Sequence, residues 1–338
     1  MLEKVWGGDR LSRFGKHVAA GARVGESWEL ADLSATSASG AGGGAFRSVI
    51  ANGGLKGRTL HVAAALWGGA LMGSAKLGAG GDFPLLVKLL DASENLSVQV
   101  HPSPGYAAAH PEAHLKTECW YILDAEPGSV IYKGVKPGVT RESFAAHIAD
   151  GTVVSDMVAV PAVAGDCHAL PSGTVHALGA GVLVAEVQTP SDTTFRVFDW
   201  GRTGRALHIE ESLECIAFER ARERESEGAR EGSGGGRATR LDEADRWTTL
   251  VENEFFTIDE VRLPDAEPRL FELGKSGRGW GPLVLIVVAG AITVGEGTGS
   301  GARVGVGGTV LVPAGSRMAG WRPRAEGGTR VLAVGLVG

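Results

Sequence analysis

The stretch Gly165-Asp166-Cys167-His168-Ala169-Leu170-Pro171-Ser172-Gly173-Thr174-Val175-His176 decides the fold. Its spacing is glycine, five residues, Pro-x-Gly, two residues and histidine. This reads as a strand, a tight turn made by Pro and Gly, and a returning strand that carries the histidine. Working outward, Leu96-Ser97-Val98-Gln99-Val100-His101-Pro102 alternates polar with branched apolar residues, so Gln99 and His101 should lie on a strand and point to one face. Together with Glu118 and His176 they read as one divalent-metal site. Imidazole, amide and carboxylate donors without a thiolate suit zinc and other borderline divalent ions, at a catalytic site and not a zinc finger.

The turn recurs in altered form near the C-terminus. Gly307, five residues, Pro313-Ala314-Gly315 and two residues lead to Met318, where a histidine would stand. All nine histidines lie at or before His208, so the second copy is expected to keep its shape but hold no His-ligated metal, giving one zinc per chain. Glycines bound many short runs rich in Val, Leu and Ile, among them Phe83 to Leu90, Ser129 to Lys133, Gly181 to Val187, Leu283 to Val288 and Thr309 to Pro313. Many short strands predict a sandwich or barrel. Helices are expected from Thr140 to Ile148, opened by a Thr140–Ser143 cap, and from Leu213 to Arg222. Residues 219–244, charged and rich in Gly and Ser, read as a linker between a metal-binding region 1–218 and a C-terminal region 245–338. The Gly-rich stretch Ser37 to Gly44 reads as an exposed loop.

A length of 338 residues suits two domains. The net charge of −6, with no basic stripe, argues against a nucleic-acid partner. Cys119, Cys167 and Cys215 are odd in number and far apart in sequence, which fits buried reduced thiols and a cytoplasmic location better than a disulfide framework. The N-terminus lacks signal-peptide character, and the most apolar run, Pro282 to Ala291, is about half of what spans a bilayer, so no membrane association is expected. The sequence does not fix an oligomeric state.

The Gly-to-His176 spacing fits the cupin pattern. Gln99-Val100-His101-Pro102, Lys116-Thr117-Glu118-Cys119-Trp120-Tyr121, the turn to His176, and Gln188-Thr189-Pro190-Ser191-Asp192-Thr193-Thr194-Phe195-Arg196-Val197-Phe198-Asp199-Trp200 together resemble the type I mannose-6-phosphate isomerases. Trp6-Gly7-Gly8 and Gly25-Glu26-Ser27-Trp28-Glu29 agree. The resemblance implies a mainly β fold of two cupin-like jelly-roll barrels, the second degenerate, with a small helical part. It implies that Gln99, His101, Glu118 and His176 hold the zinc, with Lys116 and Arg196 at the active site and a sugar phosphate as substrate. Three departures stand out: little chain precedes Trp6, which would leave a sheet edge open; Ala180 replaces an Asn; and Phe195 replaces a Tyr.

Such an isomerase moves a proton between C1 and C2 of the sugar through a cis-enediol, so positive charge is needed at the two oxygens. Arg196 offers a permanently charged fork of donors. Lys116, two positions before Glu118, falls on the same strand face. The proton-transferring base is left open among a metal-bound water, Lys116, Glu186 and Glu29. Phosphate donors are left open among Ser97, Lys88, Lys133 and Arg202. Two rivals are a sugar-binding protein without catalysis and an iron-dependent oxygenase; the intact ligand set with Arg196 argues against the first, and Gln99 with the two cations against the second.

Overall fold

The computed structural model describes residues 1–36, 43–218, 247–263, 281–296, 301–316, 319–323 and 328–337. The linker expected at 219–244, residues 37–42 of the Gly-rich loop, and Met318 lie outside the described residues.

The N-terminal part builds two antiparallel sheets. The larger has the order β1 (Leu2–Gly8), β2 (Val24–Leu30), β5 (Leu86–Ala92), β12 (Val182–Gln188), β7 (Glu118–Ala125) and β10 (Cys167–Leu170), and a short pair β3 (Asp32–Leu33) and β4 (Phe46–Arg47) extends from β2. The second sheet runs β13 (Phe195–Phe198), β6 (Val98–Val100), β11 (His176–Leu178), β8 (Val130–Val135) and β9 (Met157–Pro161). Strands β10 and β11 are the two arms of the Pro-x-Gly turn, one in each sheet. Gly173 takes φ 81°, and a Cβ there would lie 2.9 Å from the Cys215 carbonyl oxygen, so only glycine fits this turn without strain.

The inner faces of these sheets meet through Trp6, Leu90, Trp120, Ile131, Leu178 and Val184. The outer face of the larger sheet is also covered. Val87, Leu89, Tyr121 and Ala185 pack against Phe256, Ile258, Ile286 and Val334 of the C-terminal part. Burial on both faces explains why β5 and β12 read as nearly unbroken apolar runs, in which Lys88, Asp91, Glu186 and Gln188 are the buried polar exceptions. In the C-terminal part, the described strands order as β14 (Trp247–Glu252), β15 (Phe256–Leu263), β21 (Thr329–Leu336), β16 (Leu283–Ala289) and β19 (Thr309–Val312), and a second sheet of β18 (Ala302–Gly305), β17 (Ala291–Glu296) and β20 (Ala319–Pro323) packs on it through Ile292, Val294 and Val304.

Helices cover the edges. Among the described residues they are α1 (Leu60–Trp67), α2 (Gly69–Met72), α3 (Pro104–Ala109), α4 (Arg141–Asp150) and α5 (Ile209–Cys215). The expected α4 is present with its cap: the Ser143 N–H donates to Thr140 Oγ1 at 3.2 Å, and the Thr140 N–H donates to Ser143 Oγ at 3.0 Å. The helix expected from Leu213 begins four residues earlier and stops at Cys215, and residues 219–222 of that expectation lie outside the described residues. Glu210 and Glu211 favour its N-terminal turn, while Ile216 is extended and the Ala217 N–H bonds the Gly173 carbonyl, which ties the chain to the Pro-x-Gly turn in place of another helical turn. Among the described residues no helix is long and apolar enough to cross a membrane.

Candidate metal centre and active site

Strand register assembles the site. In the second sheet Arg196 pairs with Gln99, Gln99 with His176, and His176 with Lys133, so one transverse row carries all four side chains on one face. On the facing sheet Trp28 pairs with Lys88, Lys88 with Glu186, and Glu186 with Trp120, with Gln188 and Glu118 paired two residues along. The predicted alternation at Gln99 and His101 is therefore realised, and Glu118 meets both histidines. His101 Nε2 lies 3.2 Å from Glu118 Oε2, and His176 Nε2 lies 3.0 Å from Glu118 Oε1. Gln99 Nε2 is 3.2 Å from His176 Nε2, and Lys116 Nζ is 2.8 Å from Glu118 Oε2. His101, Glu118, His176 and Lys116 are all buried.

The donor chemistry fits a cation. His101 Nδ1 lies 3.1 Å from the Thr193 carbonyl oxygen, and His176 Nδ1 lies 2.8 Å from that of Thr174. A carbonyl only accepts, so each Nδ1 carries a proton and each ring turns its Nε2 toward Glu118. Burial, and then the nearby Lys116 charge, push His101 down to about 3, which keeps its ring neutral. Burial alone would raise the Glu118 carboxyl, but its neighbours, Lys116 first among them, outweigh it and hold it well below the usual carboxylate range. Apart from the ion pair of Glu118 Oε2 with Lys116, the Glu118 oxygens and His101 Nε2 lack hydrogen-bond partners. Lone pairs facing lone pairs at about 3 Å repel unless a cation lies between them, and the three residues have the spacing to hold one. Gln99 would add its carbonyl oxygen after a flip of the amide, whose two ends exchange without cost in shape.

Arg196 is buried, its Nη1 donates to the Ala206 carbonyl at 2.7 Å, and its Nε has no hydrogen-bond partner. Beside it, Arg205 and Arg202 converge on the buried Asp199 at 3.3 and 3.0 Å, and Arg205 Nη2 donates to Ser97 Oγ at 3.4 Å. Arg202 and Arg205 thus share one buried carboxylate with the Arg196 charge close by, and even with the half-exposed Glu94 at 3.6 Å from Arg202 the positive charge is in excess. Burial and then the Arg205 charge lower the Arg196 pKa, as expected of a crowded cation. Ser97 and Arg202, two of the four phosphate candidates, belong to this group. Lys88 instead pairs with Glu186 at 3.0 Å, and Glu186 accepts from Trp120 Nε1 at 2.8 Å.

Glu29 does not join the site. It pairs with Lys16 at 2.6 Å, and Lys16 also donates to the Gly307 carbonyl, because Glu26 and Trp28 point inward on β2 while Ser27 and Glu29 take the opposite parity. Sequence reasoning missed Arg205. It sits nine residues beyond Arg196 and past a turn where Trp200 and Gly201 both have positive φ, 55° and 76°, so no strand or helix period links the two arginines.

Residues 4–131 match the family described as phosphomannose isomerase type I, catalytic domain. Mannose-6-phosphate isomerase of Streptococcus mutans is 39% identical over 224 residues, 64% of this chain and 66% of that protein. Mannose-6-phosphate isomerase ManA of Bacillus subtilis is 39% identical over 222 residues, 63% of this chain and 65% of that protein. These sequence matches span slightly less than two-thirds of the relatives' length. The crystal structure of the mannose 6-phosphate isomerase from Bacillus subtilis superposes with a TM-score of 0.76 at 27% identity, covering 98% of this chain and 96% of that one. A zinc-bound mannose 6-phosphate isomerase structure shares the fold at a TM-score of 0.69 and 14% identity, covering 99% of this chain and 97% of that one. The shared fold is mainly β and cupin-like.

Proposed function

We propose that this chain is a type I phosphomannose isomerase, which interconverts mannose 6-phosphate and fructose 6-phosphate with one zinc ion held by Gln99, His101, Glu118 and His176. The observation that carries the reading is the convergence of His101 Nε2 and His176 Nε2 on the two oxygens of the buried Glu118 carboxylate, at 3.2 and 3.0 Å, in a group spaced to hold an ion. A divalent ion there supplies Lewis-acid polarisation of the sugar oxygens.

The chain's own groups have distinct tasks in this proposal. Arg196 directs its remaining donors at the charge that develops on the C1 and C2 oxygens during proton transfer. Lys116, fixed by Glu118, adds a second positive charge and a proton donor at the same end of the cavity. Arg202, Arg205 and Ser97 take the phosphate, since a dianion would neutralise the excess charge around Asp199. Ser97, Gln99 and His101 alternate along one strand face, so a phosphate at Ser97 lies roughly 7 Å from the Gln99 level, about the reach from a sugar's C6 substituent to C1 and C2. The free buried thiols fit a cytoplasmic location.

The test is turnover by the purified full chain. Mannose 6-phosphate should yield fructose 6-phosphate, while free mannose reacts far more slowly, because the phosphate's binding energy orients the reacting carbons. A metal-loaded chain that turns over no mannose 6-phosphate would contradict the activity. Retention of a sugar-phosphate-induced rise in Tm would then favour a binding protein.

A further inference from the structure

A second group of metal-type donors lies outside this site. Asp32 on β3, His61 on α1 and Asp82, four residues before β5, converge so that Asp32 Oδ2 and Asp82 Oδ1 each lie 3.3 Å from His61 Nδ1, and the three donor atoms all fall within 4.8 Å of one another. Ligands on a tetrahedral ion at about 2.0–2.1 Å are spaced about 3.3–3.4 Å apart. The candidate zinc centre shows similar separations, 3.0 and 3.2 Å.

The contacts are poor as an ordinary ion-pair network. Asp32 is fully buried, yet its Oδ1 has no hydrogen bond, and neither do Asp82 Oδ1 and Arg47 Nε. Arg47 approaches Asp32 Oδ1 at 3.3 Å and Asp82 Oδ1 at 3.7 Å, longer than a formed charge-assisted pair at about 2.7–2.9 Å. Asp32 is nevertheless firmly placed, because the Phe83 N–H donates to its Oδ2 at 2.9 Å. Two carboxylates share one guanidinium, and one of the carboxylates is removed from water. That favours an added cation.

We infer that Asp32, His61 and Asp82 form a second divalent-cation site, suited by its two oxygens and one imidazole nitrogen to zinc, cobalt(II) or manganese(II). It is weaker than the first, because it offers three protein donors beside a competing guanidinium, so it fills from added metal while the tightly held ion stays at one per chain. An ion there would tie α1 to β3 and to the segment entering β5.

The test titrates the full chain, already carrying its tightly held ion, with cobalt(II) alone, followed by calorimetry and by the visible absorption of bound cobalt. The expected result is one further equivalent and a raised Tm. His61→Ala and Asp82→Asn should each weaken that second equivalent by about tenfold or more while leaving the tightly held ion and mannose 6-phosphate turnover unchanged. Absence of a second equivalent, or one that survives in both variants, overturns the site. Should circular dichroism show that His61→Ala fails to fold, Asp82→Asn, which keeps the side-chain volume, decides the question.

Discussion

Replacing Arg196 by alanine is expected to lower kcat on the order of 10²-fold while KM changes little. Arg196 is 7% exposed, one donor is fixed on the Ala206 carbonyl at 2.7 Å, and its Nε is free of protein partners. The anchored guanidinium therefore holds unused donors in a water-poor interior without reorganising as charge develops. A hydrogen bond to a charged group is worth about 1.5–3 kcal/mol. At about 1.36 kcal/mol per decade that is roughly 10- to 150-fold, and a donor aimed at developing charge belongs at the upper end. The assay is steady-state conversion of mannose 6-phosphate with metal content and Tm measured in parallel, because the variant also loses the Ala206 bond. Arg196→Lys should recover little, since an ammonium lacks the planar fork. A rise in KM with unchanged kcat would refute the reasoning and assign Arg196 to the phosphate with its neighbours.

Arg205→Ala should do the opposite, raising KM for mannose 6-phosphate far more than it lowers kcat, and it should weaken inhibition by inorganic phosphate. His101→Ala and His176→Ala should each lose most of the tightly bound metal by elemental analysis while the far-ultraviolet circular dichroism is retained, because the cores between the sheets hold the fold. Gly173→Ala should destabilise the chain by about 1–3 kcal/mol in urea melts, since its positive φ and the Cys215 carbonyl both oppose a Cβ. The metal-free chain should lose stability as pH falls from about 6.5 toward 3. In that window the unfolded His101 binds a proton that the folded one, lowered to about 3, does not, and Glu118, also lowered on folding, adds a loss of the same sign below its unfolded value near 4.5. His101→Ala should reduce the slope by about 1.4 kcal/mol per pH unit between these limits.

The sequence carried the parts of this site that obey a short period. Alternation placed Gln99 and His101 on one face, and the Pro-x-Gly spacing placed His176 in the register opposite Gln99. Lys116 lies just before β7, yet its two-residue offset from Glu118 still brings the charges to 2.8 Å. What alternation cannot say is which parity faces the cavity, so Glu29 stood as a candidate base until β2 turned Glu26 and Trp28 inward. Arg205 reaches Ser97 only through the turn at Trp200, a long-range closure with no local signature. Helix α1, Leu60-His61-Val62-Ala63-Ala64-Ala65-Leu66-Trp67, was not anticipated because its apolar residues form no narrow stripe, and α5 moved because its last turn competes with a backbone bond to Gly173.

The most direct test of the central claim is mannose 6-phosphate turnover followed by proton NMR on the same full chain before chelation, after the metal is stripped, and after one equivalent of zinc is restored. The account predicts conversion to fructose 6-phosphate, its loss in the stripped and still folded chain, and its return with the single equivalent. Undiminished turnover by a chain shown by elemental analysis to be free of metal would contradict it.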